Sequence, residues 1–163
     1  MIIFILSQSI EDIQKKYLKI KYLRASYVHT TKTKQGNSIT YKGYLTYSAP
    51  STLEFHTTEP EEQKIIFKDT MIITIIANDT TIQTIPKDMI FNPYYFLIEG
   101  YKNYKSELRK DENYIDIFLN SDRMFYKNVH FRLRKNDYAL IKVKANDING
   151  MEYEFELKDI IQK

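Results

Sequence analysis

Three histidines are the residues best suited to bind a metal or to transfer a proton, because the chain has no cysteine. None of His29, His56 and His130 has a second metal-ligand type at the spacing that metal sites use. His56 lies between Glu54 and Glu59, where a surface cluster of charges is the simpler interpretation. His29 and His130 fall within alternating sequences, so we expect hydrogen-bonded strand residues there. The histidines therefore predict no metal site.

Residues for covalent and acid–base catalysis are equally scattered. No Ser-His-Asp order accompanies a nucleophile-elbow sequence, and no glycine-rich phosphate loop is present. Carboxylates concentrate in EPEE (59–62) and KDEN (110–113), which are loop sequences where they are solvated rather than paired. Glu152, Glu154 and Glu156 alternate with apolar residues and mark the outer face of a strand. These patterns predict no enzyme, no catalytic residue and no cofactor.

The composition favours one globular domain over residues 1–163, rich in β-structure. Lysine and arginine number 24 against 21 aspartate and glutamate, and the basic residues form no long run, so nucleic-acid binding is not expected. The 14 tyrosines and the many isoleucines suit pleated, half-buried strands. The aromatic residues lack interleaved arginines, which favours a core or lipid-facing role over base stacking. Without cysteine, either redox compartment is compatible with the chain.

The N-terminal sequence MIIFILSQS admits two interpretations. Six apolar residues precede small and polar ones, as at the end of a signal peptide, but the basic n-region is missing and the apolar run is short. Residues 1–9 are therefore either a signal-peptide remnant or the start of a buried strand or helix. No later sequence has the ~20 consecutive apolar residues that cross a bilayer.

Two segments have the pattern of helices. Apolar residues recur at helical spacing over about residues 9–22, where Ser9 can cap the first turn. In NPYYFLIEG, Asn92 is a cap, Pro93 takes the first helical position and Gly100 ends the helix. This second helix is apolar around its circumference, so it must be buried or cover something apolar.

The rest of the chain alternates with a period of two, which predicts about nine or ten strands. Pro50 and Pro60 interrupt the early strands because proline cannot donate to a ladder. TMIITIIA (70–77) is apolar on both faces, so we expect a central strand or one covered on both sides. Later strands are predicted at 104–109, 114–120, 128–134, 138–145 and 151–161.

The predicted strands present more apolar surface than two short helices can cover. A second sheet, a tightly closed barrel, and a curved half-barrel with a hollow interior would each resolve this surplus. The pattern of residues alone leaves these three architectures open.

Two spaced motifs carry a family resemblance. Leu23–His29 corresponds to F-x-A-x-F-x-Q after a first helix. The pattern G-x-L-x-x-x-x-P-x-x-[LF]-x-[FW]-x-x-x-x-P-x-x-Q follows without a gap, and Ile66 with Asp69, NPYYFLIEG and Asp147–Gly150 continue the order. From about residue 9 to the C-terminus the chain resembles the LolA-type periplasmic carriers of outer-membrane lipoproteins. The long pattern is matched at Gly43, Leu45, Pro50, Leu53, Phe55, Pro60 and Gln63.

The resemblance implies a mainly β (α+β) fold. A curved antiparallel half-barrel, with an N-terminal helix and a short lid helix, would surround an apolar cavity for acyl chains. The cavity needs no catalytic group, metal or cofactor. We expect ten residues to line it: Leu45, Tyr47, Leu53, Phe55, Ile65, Phe67, Ile73, Ile75, Phe96 and Leu97.

The function that the resemblance implies is a carrier that shields lipoprotein acyl chains during transfer across the periplasm to the outer membrane. Each methylene kept from water is worth ~0.8 kcal/mol, so exposing a chain of roughly fifteen costs on the order of 12 kcal/mol. The expected partners are lipoprotein acyl chains, an inner-membrane ABC-type release complex and an outer-membrane receptor. We expect a monomer.

Two departures from the family pattern keep other functions open. Ala49 stands where many members have an arginine before the first proline, and the sequence ends at Lys163 where many members continue. The alternatives are a lipid- or lipoprotein-binding receptor or sensor on the same fold that ferries no cargo, and a structural or enzymatic domain with a filled barrel.

Overall fold

The computed structural model describes residues 2–163, with side chains from Ile10 onward. The prediction that residues 1–9 are a signal-peptide remnant falls on residues whose side chains the structure does not describe. The helices are α1 (Ile2–Lys19) and α2 (Pro93–Ile98), with 3-10 turns at Lys87–Met89 and Gly100–Asn103. The described strands are β1 (Tyr22–Lys32), β2 (Ser38–Ser48), β3 (Thr52–Glu59), β4 (Gln63–Lys68), β5 (Met71–Ile76), β6 (Asp79–Thr84), β7 (Lys105–Lys110), β8 (Tyr114–Asn120), β9 (Tyr126–Arg134), β10 (Leu140–Asp147) and β11 (Glu152–Gln162).

All of these strands belong to one antiparallel sheet in the order β6-β5-β4-β3-β2-β1-β11-β10-β9-β8-β7. Two meanders, β1 to β6 and β7 to β11, are joined where the first strand pairs with the last. The sheet is open, since β6 and β7 lie at opposite edges. Within each meander, hairpins pair strands that are neighbours in the sequence. The β1–β11 pairing instead joins strands that are far apart in the sequence, so it closes a long loop.

The sheet is strongly curved. Ile72 of β5 and Tyr126 of β9 line the same cavity although seven strand spacings separate their strands. In a flat sheet with strands about 4.8 Å apart, these strands would lie roughly 34 Å from each other. The sheet therefore bends into a half-barrel with one concave face, as the resemblance implied.

The helices fill part of the concave face. Ile13 and Tyr17 of α1 are almost fully buried, and the Tyr17 hydroxyl donates to the carbonyl oxygen of Tyr138 at 2.6 Å. Phe96 of α2 packs on Phe131 of β9, with ring centroids 6.1 Å apart. The helices thus bury the apolar residues of β8, β9 and the near ends of β1 to β3 in one core.

The helix and strand predictions were correct in type but not in every boundary. The first helix begins at Ile2 rather than near Ser9, and it ends at Lys19 because Tyr22 already starts β1. Eleven strands are present in the described chain, against about nine or ten predicted. β5 lies next to the β6 edge and is half-exposed, so the expectation of a central or doubly covered strand was wrong. Its isoleucines reflect strand propensity rather than burial on both faces.

Candidate functional site: a cavity on the concave face

The half of the concave face that the helices leave uncovered forms a cavity of about 400 Å³. Along β1, Leu23 and Ala25 are buried under the helices, whereas His29 and Thr31 are partly exposed to solvent. The cavity therefore deepens toward the helices and opens at the Thr31 end of β1. Its lining residues are Tyr27, His29, Thr31, Tyr41, Phe55, Thr57, Gln63, Ile65, Phe67, Ile72, Met89, Ile90, Phe91, Tyr126, Tyr153 and Phe155.

The floor of the cavity depends on a glycine. Gly43 pairs with Tyr27 on one side and Thr57 on the other, next to a register shift between Lys42 and Gly43. A Cβ atom at Gly43 would overlap the backbone carbonyl oxygen of His56. The Tyr27 hydroxyl and the Thr57 Oγ1, from the two strands that flank Gly43, lie 2.6 Å apart. In this chain the overlap with the His56 carbonyl oxygen leaves no room for a side chain at position 43.

An imidazole lies in the wall of the cavity. The His29 ring stacks on Phe155 with centroids 3.9 Å apart and an angle of 8° between the planes. Its Nε2 is 3.0 Å from the Thr31 Oγ1, so His29 is a hydrogen-bonded strand residue, as predicted. Burial lowers the pKa of His29 from 6.5 to about 4, which leaves the ring uncharged at neutral pH.

The segment just before α2 covers the cavity. Phe91 stacks on Phe155 (5.3 Å, 16°) and on Tyr153 (5.9 Å, 14°), which both come from β11. The Tyr126 hydroxyl donates to the carbonyl oxygen of Met89 at 2.9 Å and ties the segment to β9. Burial of this hydroxyl raises the pKa of Tyr126. Met89–Phe91, rather than α2, is therefore the cover next to the cavity.

The α2 helix itself is anchored in the core. The Oδ1 atom of Asn92 accepts from the backbone nitrogens of Tyr94 and Tyr95 at 3.0 and 3.2 Å, which confirms the predicted cap. Tyr94 packs on Tyr47 of β2 (4.9 Å) and on Tyr17 of α1 (6.1 Å). The helix is thus held between the sheet and α1 by aromatic contacts.

The D-x-x-G motif shapes the β10–β11 hairpin beside the cavity. Asp147 is buried, and its Oδ1 accepts from the backbone nitrogens of Asn149 and Met151 at 2.8 and 3.0 Å. Its Oδ2 accepts from the Tyr153 hydroxyl at 2.9 Å. Gly150 has a φ of 78°, which favours glycine. The motif therefore fixes the turn and orients one cavity residue.

The sequence-predicted site residues divide into three groups. Phe55, Ile65 and Phe67 line the cavity. Ile73 and Ile75 pair with Ile66 and Lys64, and therefore lie on the convex face, which corrects their assignment to the cavity. The short β4–β5 turn sets this register, and an apolar run without alternation gave no sign of it. The remaining predicted residues are packed in the helix-covered core: Leu45, Tyr47, Leu53, Phe96 and Leu97.

Sequence reasoning missed several cavity residues. The alternation in MEYEFELK already placed Tyr153 and Phe155 on the apolar face of β11, so this signal was available. Ile72 and Ile73 are adjacent residues of an apolar run and face opposite sides of the sheet. Only the register of β5 against β4 shows that Ile72 faces the cavity. Phe91 and Tyr126 come from a loop and a strand end, where periodicity gives no signal.

Charged side chains lie elsewhere on the molecule. The sixteen lining residues include no lysine, arginine, aspartate or glutamate. His56 contacts Glu54 at 3.2 Å and His130 contacts Asp116 at 2.7 Å, both on the convex face. Within the described residues, no group of three or more histidine, aspartate or glutamate side chains is placed to hold a metal ion. In the same part of the chain, no helix is both long and apolar enough to span a membrane.

Position 49 holds alanine, so no arginine at this position links the sheet to the helix. A small pocket of about 70 Å³ lies beside Pro50, between the β2–β3 turn and α2. On the turn side, Ser51 donates to Asp69 at 2.9 Å. On the helix side, the Lys87 ammonium lies 4.6 Å from the centroid of the Tyr95 ring. Each of these two contacts joins residues on one side of the pocket, whereas Tyr47, which also lines it, packs on Tyr94 of α2.

An open half-barrel with a hollow, uncharged, apolar interior defines a class of proteins that enclose a ligand within one curved sheet. Residues 18–163 match the model of a family described as outer membrane lipoprotein carrier protein LolA. Because this match covers most of the chain, the protein belongs to the LolA family.

Solved structures agree on the fold. A LolA-superfamily protein from Nitrosomonas europaea superposes with a TM-score of 0.52 at 9% identity, over 97% of this chain and 94% of that chain. An uncharacterized conserved protein from Thermus thermophilus gives 0.60 at 9% identity, over 96% and 87%. A chain of the MucA/MucB complex of Pseudomonas aeruginosa gives 0.52 at 10% identity, over 96% and 56%. The sequence itself matches none of the curated proteins.

Proposed function

We propose that this protein binds acyl chains of lipoproteins in its cavity and carries them across the periplasm to the outer membrane. The observation that supports this most is the uncharged cavity of about 400 Å³ on the concave face, in a chain of the LolA family. Ligand sites in proteins usually have volumes of about 300–1,000 Å³ and are mainly apolar. The proposal needs no catalytic group, because shielding a chain from water is a binding function.

The lining suits a cargo that must be bound and later released. The apolar wall of Phe55, Ile65 and Phe67 supplies burial, worth ~0.8 kcal/mol for each methylene removed from water. Polar groups such as Thr31 and Gln63 stand among the lining residues, so a chain near the mouth gains less than it would in a closed apolar core. We propose that Phe55, Ile65 and Phe67 contact the chain directly.

The remaining assignments follow from a carrier role. The proposed donor is an inner-membrane ABC-type release complex, and the proposed acceptor is an outer-membrane receptor. We further propose that the protein acts in the periplasm as a monomeric single domain. Membership of a family of lipoprotein carriers supports these partners and this location.

A second candidate is a binding module that holds a lipid or lipoprotein without ferrying it. The anchoring of α2 by Tyr17, Tyr47 and Tyr94, together with Ala49 in place of an arginine, favours this candidate. A fixed helix suits retention better than release.

Release from spheroplasts separates the two candidates. Pure protein is added to spheroplasts of its own host, and lipoproteins that appear in the supernatant are identified by mass spectrometry. The carrier function predicts soluble lipoproteins in complex with the protein. Binding of acylated peptides in vitro without any release would support the second candidate, and absence of both would reject acyl-chain binding altogether.

A further inference from the structure

Three hairpin turns meet on one side of the cavity mouth. We name them the hairpin rim, which consists of residues 32–39, 121–127 and 148–152. The backbone nitrogen of Ile148 donates to the carbonyl oxygen of Phe125 at 2.9 Å and so joins the β10–β11 turn to the β8–β9 turn. The Lys34 side chain of the β1–β2 turn lies against Gly150, where a Cβ atom would be 3.4 Å from the Lys34 Cδ. Thr31, which lines the open end of the cavity, directly precedes the rim. The three turns therefore form one surface beside the mouth.

This hairpin rim exposes apolar side chains to water. Ile39 and Ile148 are each 54% exposed. Ile39 pairs with Thr31 across the β1–β2 ladder, so it continues the concave face outward beyond the lining of the cavity. Met124 and Phe125 of the β8–β9 turn are partly exposed. Apolar side chains at the tips of polar turns are favourable where they can enter an interface between water and lipid.

The charged side chains of the hairpin rim are mainly basic. Four basic residues of the rim are exposed: Lys32, Lys34, Arg123 and Lys127. Among the described residues none of these four takes part in a salt bridge, whereas the nearby Lys144 of β10 pairs with Glu154 at 3.5 Å. The acidic residues of the rim are Asp122 and Glu152. The rim therefore offers unpaired positive charge next to its exposed isoleucines.

The neighbouring part of the mouth has the opposite charge. Glu59, Glu61 and Glu62, at the β3–β4 turn, are exposed, and Glu59 is paired with Lys42 at 3.3 Å. An anionic surface is therefore attracted to the hairpin rim and repelled by the β3–β4 turn. This asymmetry selects one side of the mouth for the contact.

We infer that the hairpin rim docks on an anionic lipid bilayer, with its isoleucines in the interface and its basic side chains on lipid phosphates. Both contributions are known determinants of peripheral membrane binding. The inference goes beyond the proposed function, because holding an acyl chain in the cavity requires no contact with a membrane. Docking in this orientation turns the open end of the cavity toward the bilayer. A chain that enters or leaves then crosses only a short layer of water.

Vesicle flotation tests the docking with the unmodified protein. Vesicles of equal parts phosphatidylcholine and phosphatidylglycerol are compared with vesicles of phosphatidylcholine alone, at about 0.15 M salt. The protein should bind the anionic vesicles more tightly by about tenfold or more. This preference should disappear at about 1 M salt, where charges are screened beyond about 3 Å.

Two matched pairs of double variants assign the contact to the rim. Lys34→Gln with Arg123→Gln should weaken binding to anionic vesicles by about fivefold for each charge, or roughly 25-fold together. Lys15→Gln with Lys19→Gln removes the same charge from α1, away from the mouth, and should change binding by no more than about twofold.

The second pair removes exposed apolar side chains. Ile39→Ser with Ile148→Ser should weaken binding by about five- to tenfold for each residue. Leu18 and Ile82, at 59% and 63% exposure, lie outside the rim, so Leu18→Ser with Ile82→Ser should have little effect. Circular dichroism and cooperative unfolding check that all four double variants fold.

The outcomes separate the docking from acyl-chain binding. Losses in the rim variants but not in their controls support docking. No binding to either kind of vesicle, equal binding to both, or equal losses in rim and control variants overturns it. A change of oligomeric state in the rim variants, measured by size-exclusion chromatography, would identify the rim as a contact between copies and also overturn it.

Displacement of bis-ANS by an acylated peptide in solution tests the proposed function separately. The rim variants should keep this activity, and its loss together with vesicle binding would place the rim in the cavity site and overturn docking as a distinct contact. If the unmodified protein binds vesicles as expected but no acylated peptide, the docking stands and the proposed function fails.

Discussion

Acidification should destabilise this protein through His29. The imidazole has an ordinary pKa of 6.5 in the unfolded chain, and burial lowers the pKa to about 4 in the folded protein. The groups that face the ring are Tyr41 from β2, Tyr153 and Phe155 from β11, and Thr31 on its own strand. None of these side chains supplies a negative charge at neutral pH. Between pH 6.5 and 4, the unfolded chain therefore binds a proton that the folded protein does not.

The magnitude follows from proton linkage. Each pH unit between the two pKa values is worth about 1.4 kcal/mol, so the free energy of unfolding should fall by about 3 kcal/mol between pH 6.5 and 4 because of this residue. The stability that a neutral His29 permits is fully present above pH 6.5 and is lost as the pH falls. Total stabilities of about 5–15 kcal/mol make this loss readily measurable.

Urea unfolding at a series of pH values tests the contribution, because carboxylates also titrate in part of this range. His29→Gln removes the titrating ring, so its free energy of unfolding should be less pH-dependent than that of the unmodified protein by about 3 kcal/mol across this window. Thr31→Val removes the hydrogen-bond partner but keeps the imidazole, and it should retain most of the dependence. Parallel pH curves for His29→Gln and the unmodified protein would refute the assignment to His29.

Three further substitutions test other parts of the structure by chemical denaturation. Gly43→Ala should cost about 1–3 kcal/mol, because the new methyl group meets the carbonyl of His56, and unchanged stability would contradict that contact. Leu53→Ala should cost about 2–5 kcal/mol and leave acyl-chain affinity unchanged, whereas a selective loss of affinity would place Leu53 in the site. Asn92→Ala should cost about 0.5–2 kcal/mol through the lost cap, and a neutral effect would argue against it.

The sequence was most informative where local physics decides the structure. Alternation located the strands of the second meander to within a few residues, and the Asn92–Pro93 pair located the start of α2. The spaced motif that includes Gly43 and Phe55 carried the resemblance to the family. These features depend on neighbouring residues, so a single sequence contains them.

Only the structure distinguishes the part of the concave face that is packed in the core from the part that lines the cavity. Leu53 and Phe55 stand on the same face of one strand, yet Leu53 is packed under the helices whereas Phe55 lines the cavity. The difference depends on where α1 and α2 end, which strand periodicity does not encode. Ile73 was misplaced because a uniformly apolar strand conceals its register. Phe91 joined the site through a loop that gives no periodic signal.

The most direct test of the central claim is a methyl NMR titration with a palmitoylated peptide, using the same peptide without the chain as a control. Isoleucine methyl groups report on both faces of the sheet and on the cover of the cavity. An acyl chain in the cavity should shift the signals of Ile65, Ile72 and Ile90 and leave those of Ile66 and Ile73 unchanged. Shifts confined to the convex-face methyl groups, or no chain-dependent shift at all, would contradict the account.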